Sequence, residues 1–107
     1  MQVFHRTSAA DQILRDGFRD ARGNFLTAHE REGLWISDRP LDVSDGASGD
    51  SFLSLDIPEE ALVQYEWTEK GKGYREFLVP ASLLNAYGKP TRDDDVNGLI
   101  DRWRGGD

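Results

Sequence analysis

The sequence predicts a single α+β domain, a small and mostly antiparallel split sheet with a few helices set against parts of it. Three observations carry this. Five short segments alternate apolar and polar residues with the two-residue period of a strand. Three segments carry helix signals, apolar residues at i, i+3, i+4 beside a capping or stop residue. The order is β, α, loop, β, loop, β, β, β, α, α, and runs of strands followed by helices belong to α+β domains rather than to parallel sheets. The chain has 107 residues, which is one domain, residues 1–107.

The first strand spans residues 2–7, with Val3, His5 and Thr7 on one face and Phe4 and Arg6 on the other. Ser8 then reads as a helix N-cap, with Asp11 three residues on, and the helix runs over 9–16 with Ala10, Ile13 and Leu14 as its apolar stripe. Gly17 is its stop, and Phe18 packs back on it. Residues 19–32 are polar apart from Phe25-Leu26 and read as a loop with room for a short strand. Residues 33–37 form the second strand, with Leu34 and Ile36 opposite Trp35 and Ser37. A long loop over 38–50 follows, rich in Asp, Gly and Ser, and a loop of that length in so small a domain points to function.

Residues 51–57 are the third strand, and Pro58 opens a turn or a single helical turn. Residues 63–68 alternate again through Val63, Tyr65 and Trp67 and predict a fourth strand. Lys70-Gly71-Lys72-Gly73 is the hairpin turn into the last strand, 74–79. Pro80 ends that strand, and 81–87 read as a short helix closed by Gly88. Thr91 caps a final helix over 93–104 that turns Val96, Leu99, Ile100 and Trp103 inward. Its acidic start and its basic end at Arg102 and Arg104 suit the helix dipole.

Composition narrows the function classes. There is no Cys, so a disulfide framework, a thiol nucleophile and a Cys-ligated zinc site are excluded. No apolar run reaches the roughly 18 residues of a membrane span, and the first residues lack a signal-peptide layout, so the expected place is the cytoplasm, with no membrane partner. The net charge of −7 disfavours general nucleic-acid binding. No metal site is expected: residues 93–95 lack the alternating ligands of a calcium loop, and His29 has only Glu30 and Glu32 beside it. Lys70-Gly71-Lys72-Gly73 lacks the spacing of a phosphate loop.

Three strands carry polar or aromatic residues that an ordinary core strand does not need. His5 and Thr7 share one face, Trp35 and Ser37 another, Tyr74 and Glu76 a third. If these faces converge, they make a cleft lined by an imidazole, an indole, hydroxyls and one carboxylate, the usual form of a small-molecule site.

The ordered segments Phe4-His5-Arg6-Thr7-Ser8, Gly33-Leu34-Trp35-Ile36-Ser37-Asp38 and Tyr74-Arg75-Glu76-Phe77-Leu78-Val79-Pro80, with the helix Ile13-Leu14-Arg15-Asp16-Gly17-Phe18 after the first, give the chain a family likeness. It resembles the ADP-ribosyltransferase superfamily, on the His–Tyr–Glu branch of the diphtheria-toxin-like and poly(ADP-ribose) polymerase-like domains. The likeness spans about residues 3–86, and Trp35 stands where Tyr is usual. It implies NAD as co-substrate. His5, Trp35 and Glu76 are then the catalytic set. His5 orients NAD through the adenosine ribose, Trp35 stacks on the nicotinamide, and Glu76 bonds the nicotinamide ribose and stabilises the oxocarbenium-like transition state. Arg6, Thr7, Ser37, Ser44 and Tyr74 complete the implied NAD contacts, with Ser48 and Ser51 as alternatives to Ser44. Arg15, Arg19, Arg22 and Arg31 offer positive charge for the pyrophosphate.

The resemblance thus implies cleavage of the nicotinamide–ribose bond and transfer of ADP-ribose to a protein, a nucleotide or water. An NAD-using RNA 2′-phosphotransferase of the related kind is disfavoured by the acidic chain. The competing reading is an inactive NAD-sensing or protein-interaction module on the same scaffold, and the placement of Glu76 separates the two.

Overall fold

The structure, a computed structural model, describes residues 1–23, 31–45, 47–68, 71 and 73–105, without the side chains of Arg22 and Arg31. The strands are β1 (Gln2–Thr7), β2 (Ala21–Gly23), β3 (Arg31–Ser37), β4 (Ser51–Asp56), β5 (Glu76–Val79) and β6 (Thr91–Asp93). The helices are α1 (Ala10–Asp16), α2 (Glu59–Leu62), α3 (Ala81–Asn85) and α4 (Val96–Gly105). The class is α+β, as the sequence predicts, and every strand pair is antiparallel.

The sheet runs β2-β3-β1-β4-β6, with β5 also on β3. Ser37 is registered with Phe4 of β1 and with Glu76 of β5, so β1 and β5 flank β3 on opposite edges. β1 and β4 pair along their whole length, from Gln2↔Asp56 to Thr7↔Ser51. Between β1 and β3 the register holds at Phe4↔Ser37 alone, and the first half of β3 pairs instead with β2. The sheet is therefore split beside His5.

Directly paired residues share a face, so the registers sort the side chains. Val3, Leu53 and Leu55 join Leu34, Ile36, Phe77 and Val79 in the main core. Ala10 of α1, Leu62 of α2, and Ala81 and Leu84 of α3 cover that face. The other face is covered over Phe4 and Phe52 by α4, through Ile100 with Val96 and Leu99 against it. Trp103, 40% exposed, sets its ring edge-on to Phe4 at 5.3 Å. Both faces of β1 are thus apolar at Val3 and Phe4, in the alternation its sequence shows.

Five expectations change. Ser8 does not cap α1: the helix opens after Ala9 with no side-chain cap, and the Ala9 N–H is taken by the Thr7 hydroxyl at 2.9 Å. Residues 63–68 are not a strand. Helical backbone continues from α2 into a 3-10 turn over Val63–Tyr65, so the apparent alternation never lies on one face, and Glu66 then bridges Phe77. The final helix begins at Val96 rather than at 93, because residues 91–93 extend along β4 as β6. Its cap is Asp95, whose carboxylate accepts the Gly98 N–H at 3.1 Å, rather than Thr91. Tyr74 precedes β5 instead of belonging to it. The predicted turn at Lys70 and Lys72 and the Phe25-Leu26 island lie outside the described residues.

Candidate functional site

At the split in the sheet the His5 imidazole spans the gap, its Nδ1 2.8 Å from the Trp35 main-chain carbonyl. A carbonyl only accepts, so Nδ1 carries the proton and Nε2 is left with its lone pair. Burial lowers the His5 pKa, opposed in part by the bond to Trp35, so the ring is neutral at pH 7. The Phe18 ring stands edge-on at 5.9 Å. Phe18 is fixed in turn by Asn85 of α3, which accepts from its N–H at 2.8 Å and donates to its carbonyl at 3.0 Å. No buried side-chain polar atom among the described residues lacks a partner, and among those residues the His5 ring is bonded through Nδ1 alone.

His5 lines an open cleft of about 460 Å³ between the end of β1, α1 and the strands β2 and β3. That volume falls in the range of small-molecule sites. Thr7, Ser8, Gln12 and Ser48 supply polar groups, Arg19 a cation, and Ile13 and Leu34 an apolar wall. Arg19 is exposed and only 4.0 Å from Asp16 at its closest, a loose pair that leaves its charge to serve the cleft mouth.

The residues predicted from the sequence divide. His5, Arg6 and Thr7 come together on this cleft, with Ser48 rather than Ser44 as the loop serine. Ser44 sits in the exposed 3-10 turn of residues 43–45, its N–H on the Asp42 carboxylate. Ser51 is buried and donates to Asp94 at 2.6 Å. Trp35, Ser37 and Glu76 do not line the cleft. Their register puts them on the Phe4 face of the sheet, whereas Val3 and Leu53, the neighbours of His5, face the main core.

On that second face Trp35 packs edge-on against Trp67 at 5.7 Å, and the Trp67 N–H bonds the Glu76 carbonyl at 2.9 Å. Ser37 is buried and donates to the Arg39 carbonyl at 2.8 Å, and Tyr74 carries the Arg39 guanidinium 5.3 Å from its ring centre. The single convergent cleft that the strand patterns allow is thus two separate places, because one residue of register decides which face a side chain takes. Of the arginines offered for a pyrophosphate, Arg19 reaches the cleft. Arg15 pairs with Asp16 in solvent, and the side chains of Arg22 and Arg31 lie outside the described ones. Sequence reasoning missed Gln12 and Ile13 as cleft residues, although the helical spacing that places them beside Ala9 was readable.

Neutral His5 makes a pH prediction. Its folded pKa lies below the unfolded value of about 6.5, so the unfolded chain takes up the proton first. The stability from His5 is whole above pH ~6.5 and falls as pH drops from there to the folded pKa. Asp42, Glu66 and Asp94, lowered by their hydrogen bonds, lose their contributions only at more acid pH. Urea midpoints taken between pH 7.5 and 5 should decline for the wild type and less steeply for His5→Gln. Parallel profiles would show that His5 is not held neutral.

Comparison of the chain with family models, with curated proteins and with solved structures finds no match. Among the described residues no helix is long and apolar enough to cross a membrane, and no group of three or more His, Cys, Asp or Glu is placed to hold a metal ion.

Proposed function

We propose that the domain is an NAD-binding module on an ADP-ribosyltransferase-like scaffold, taking the ADP-ribose part of the dinucleotide in the His5 cleft. The observation that carries the reading is the pinned imidazole. Nδ1 is committed to the Trp35 carbonyl, which turns Nε2 into a fixed acceptor at the wall of a cleft of nucleotide size. A ribose hydroxyl is the group such an acceptor takes. Arg19 at the mouth meets a pyrophosphate, and Ile13 and Leu34 offer apolar surface to a base.

Glu76 separates a binding module from a transferase. Stabilising an oxocarbenium-like centre requires the carboxylate to face the ribose that loses nicotinamide. Glu76 stands across the sheet from the His5 cleft, which favours binding without cleavage. One observation favours the transferase reading: the His5–Trp35 bond ties the first and second motif strands together at the split. Transfer to a protein, a nucleotide or water belongs to that second reading.

Calorimetry with NAD⁺ and with ADP-ribose tests the first. Both ligands should bind the wild type, and His5→Leu, which keeps volume and removes the acceptor, should weaken both about tenfold or more. Equal affinity in the variant, or no binding to the wild type, overturns it. Nicotinamide release measured on the same samples decides between the readings. Release by the wild type that falls about 10²-fold in Glu76→Gln would establish cleavage and the transferase reading.

A further inference from the structure

We propose that Arg6 is the positioning residue of the cleft, strapping loop 38–50 across the end of β1 so that Ser48 stands at the cleft wall; the effect on affinity rests on the NAD-binding reading above. The resemblance makes Arg6 a direct cofactor contact, and its bonds point elsewhere. Nε donates to the Gly49 carbonyl at 2.9 Å and an Nη to the Leu41 carbonyl at 3.0 Å. The two acceptors lie near opposite ends of the loop, so one guanidinium closes it. The fork geometry of arginine suits this, and a lysine ammonium cannot reproduce it.

The strap has a floor and a contact face. The guanidinium carbon lies 5.5 Å from the centre of the buried Phe52 ring, which fixes the head from below. Gly49 rests directly on the backbone of Thr7: a Cβ there would come 2.5 Å from the Thr7 carbonyl carbon, and φ at Gly49 is +135°. Only glycine lets the loop come this close. Ser48, one residue before this contact, lines the cleft together with Thr7. Inside the loop the Asp45 N–H bonds the Asp42 carbonyl at 3.0 Å, and Leu41 is buried. A second tie runs from Arg104 of α4 to the Asp42 carboxylate at 3.0 Å, exposed and therefore weak.

Two substitutions release the strap from opposite sides. Arg6→Met keeps an apolar stem over Phe52 and removes both donors. Gly49→Ala drives the loop off Thr7. In ligand-free protein each should speed amide exchange at Asp45 and Ala47 about tenfold, the scale of losing charged hydrogen bonds. Each should also weaken NAD⁺ binding by a similar factor, and the double variant should lose no more than the worse single one. Arg6→Lys should recover part of both losses.

The outcomes are distinct. Unchanged exchange in Arg6→Met overturns the strap, whether or not NAD⁺ binds. Faster exchange with unchanged affinity overturns the positioning role. Additive losses, with a shallower salt dependence of binding in Arg6→Met, mean that Arg6 touches the anionic ligand itself, and the proposal fails. If the wild type binds no NAD⁺, the binding reading fails while exchange still decides the strap.

Discussion

Phe77→Ala is expected to lower the unfolding free energy by about 3–5 kcal/mol, the cost of deleting a fully enclosed aromatic ring. Phe77 has no exposed surface. It stands on β5 opposite Ile36 of β3, meets Glu66 on its other edge through an isolated bridge, and belongs to the main core. The Arg75 guanidinium lies 5.3 Å from its ring centre and also bonds both oxygens of Glu66, at 3.1 and 2.8 Å. Removing the ring therefore empties space in the main core and takes away the surface beside which the arginine lies, while its bonds to Glu66 remain. In a domain of this size the thermal midpoint should fall by about 12 °C or more. A drop under about 1 kcal/mol would mean that β5 is not seated in the core as described.

Gly33→Ala should cost about 2–4 kcal/mol, combining backbone strain with overlap. Gly33 has φ of +147°, and a Cβ there would lie 2.9 Å from the Val79 carbonyl oxygen and 3.2 Å from Leu78. Gly33 also pairs with Ala21 of β2, at the point where β3 passes from β2 to its β1 and β5 partners. Gly88→Ala is the control: its φ is also positive, at +92°, but nothing lies within 4 Å of the added carbon. It should cost only the conformational part, roughly 1–2 kcal/mol. Chemical denaturation of the three proteins checks this, and equal losses at the two glycines would remove the close approach to Val79 as the cause. The Gly-hydrophobic-aromatic pattern of the second strand thus has a packing reason independent of any ligand.

β1 was readable to its ends because Val3 and Phe4 both need cover and polar residues bracket them. α4 was readable in its inward residues, since Ile100 is buried and Val96 and Leu99 lie against it. β6 was not, because Thr-Arg-Asp offers no apolar alternation, and main-chain pairing to β4 alone makes it a strand. Residues 63–65 misled for the opposite reason: the alternation was present, but the chain was still turning out of α2. In the site, His5 and Thr7 fall together because alternate residues of a strand share a face. Whether His5 meets Glu76 depends on how β1 docks on β3, and a one-residue shift of pairing reverses the answer without changing any local pattern. The role of Arg6 was hidden because its acceptors are carbonyls, which carry no signature in the side-chain sequence.

The sheet order ends at β6, three residues long, with Arg92 joined to Asp11 and Asp94 and with Asp93 joined to Arg102 at 3.1 Å. A strand from another molecule that tried to extend the sheet there would find a template of three residues, too short for a stable ladder, and would have to displace ion pairs to reach it. The acidic residues before α4 thereby shield, in the folded domain, the edge of the sheet that lies next to its most apolar strand, β4.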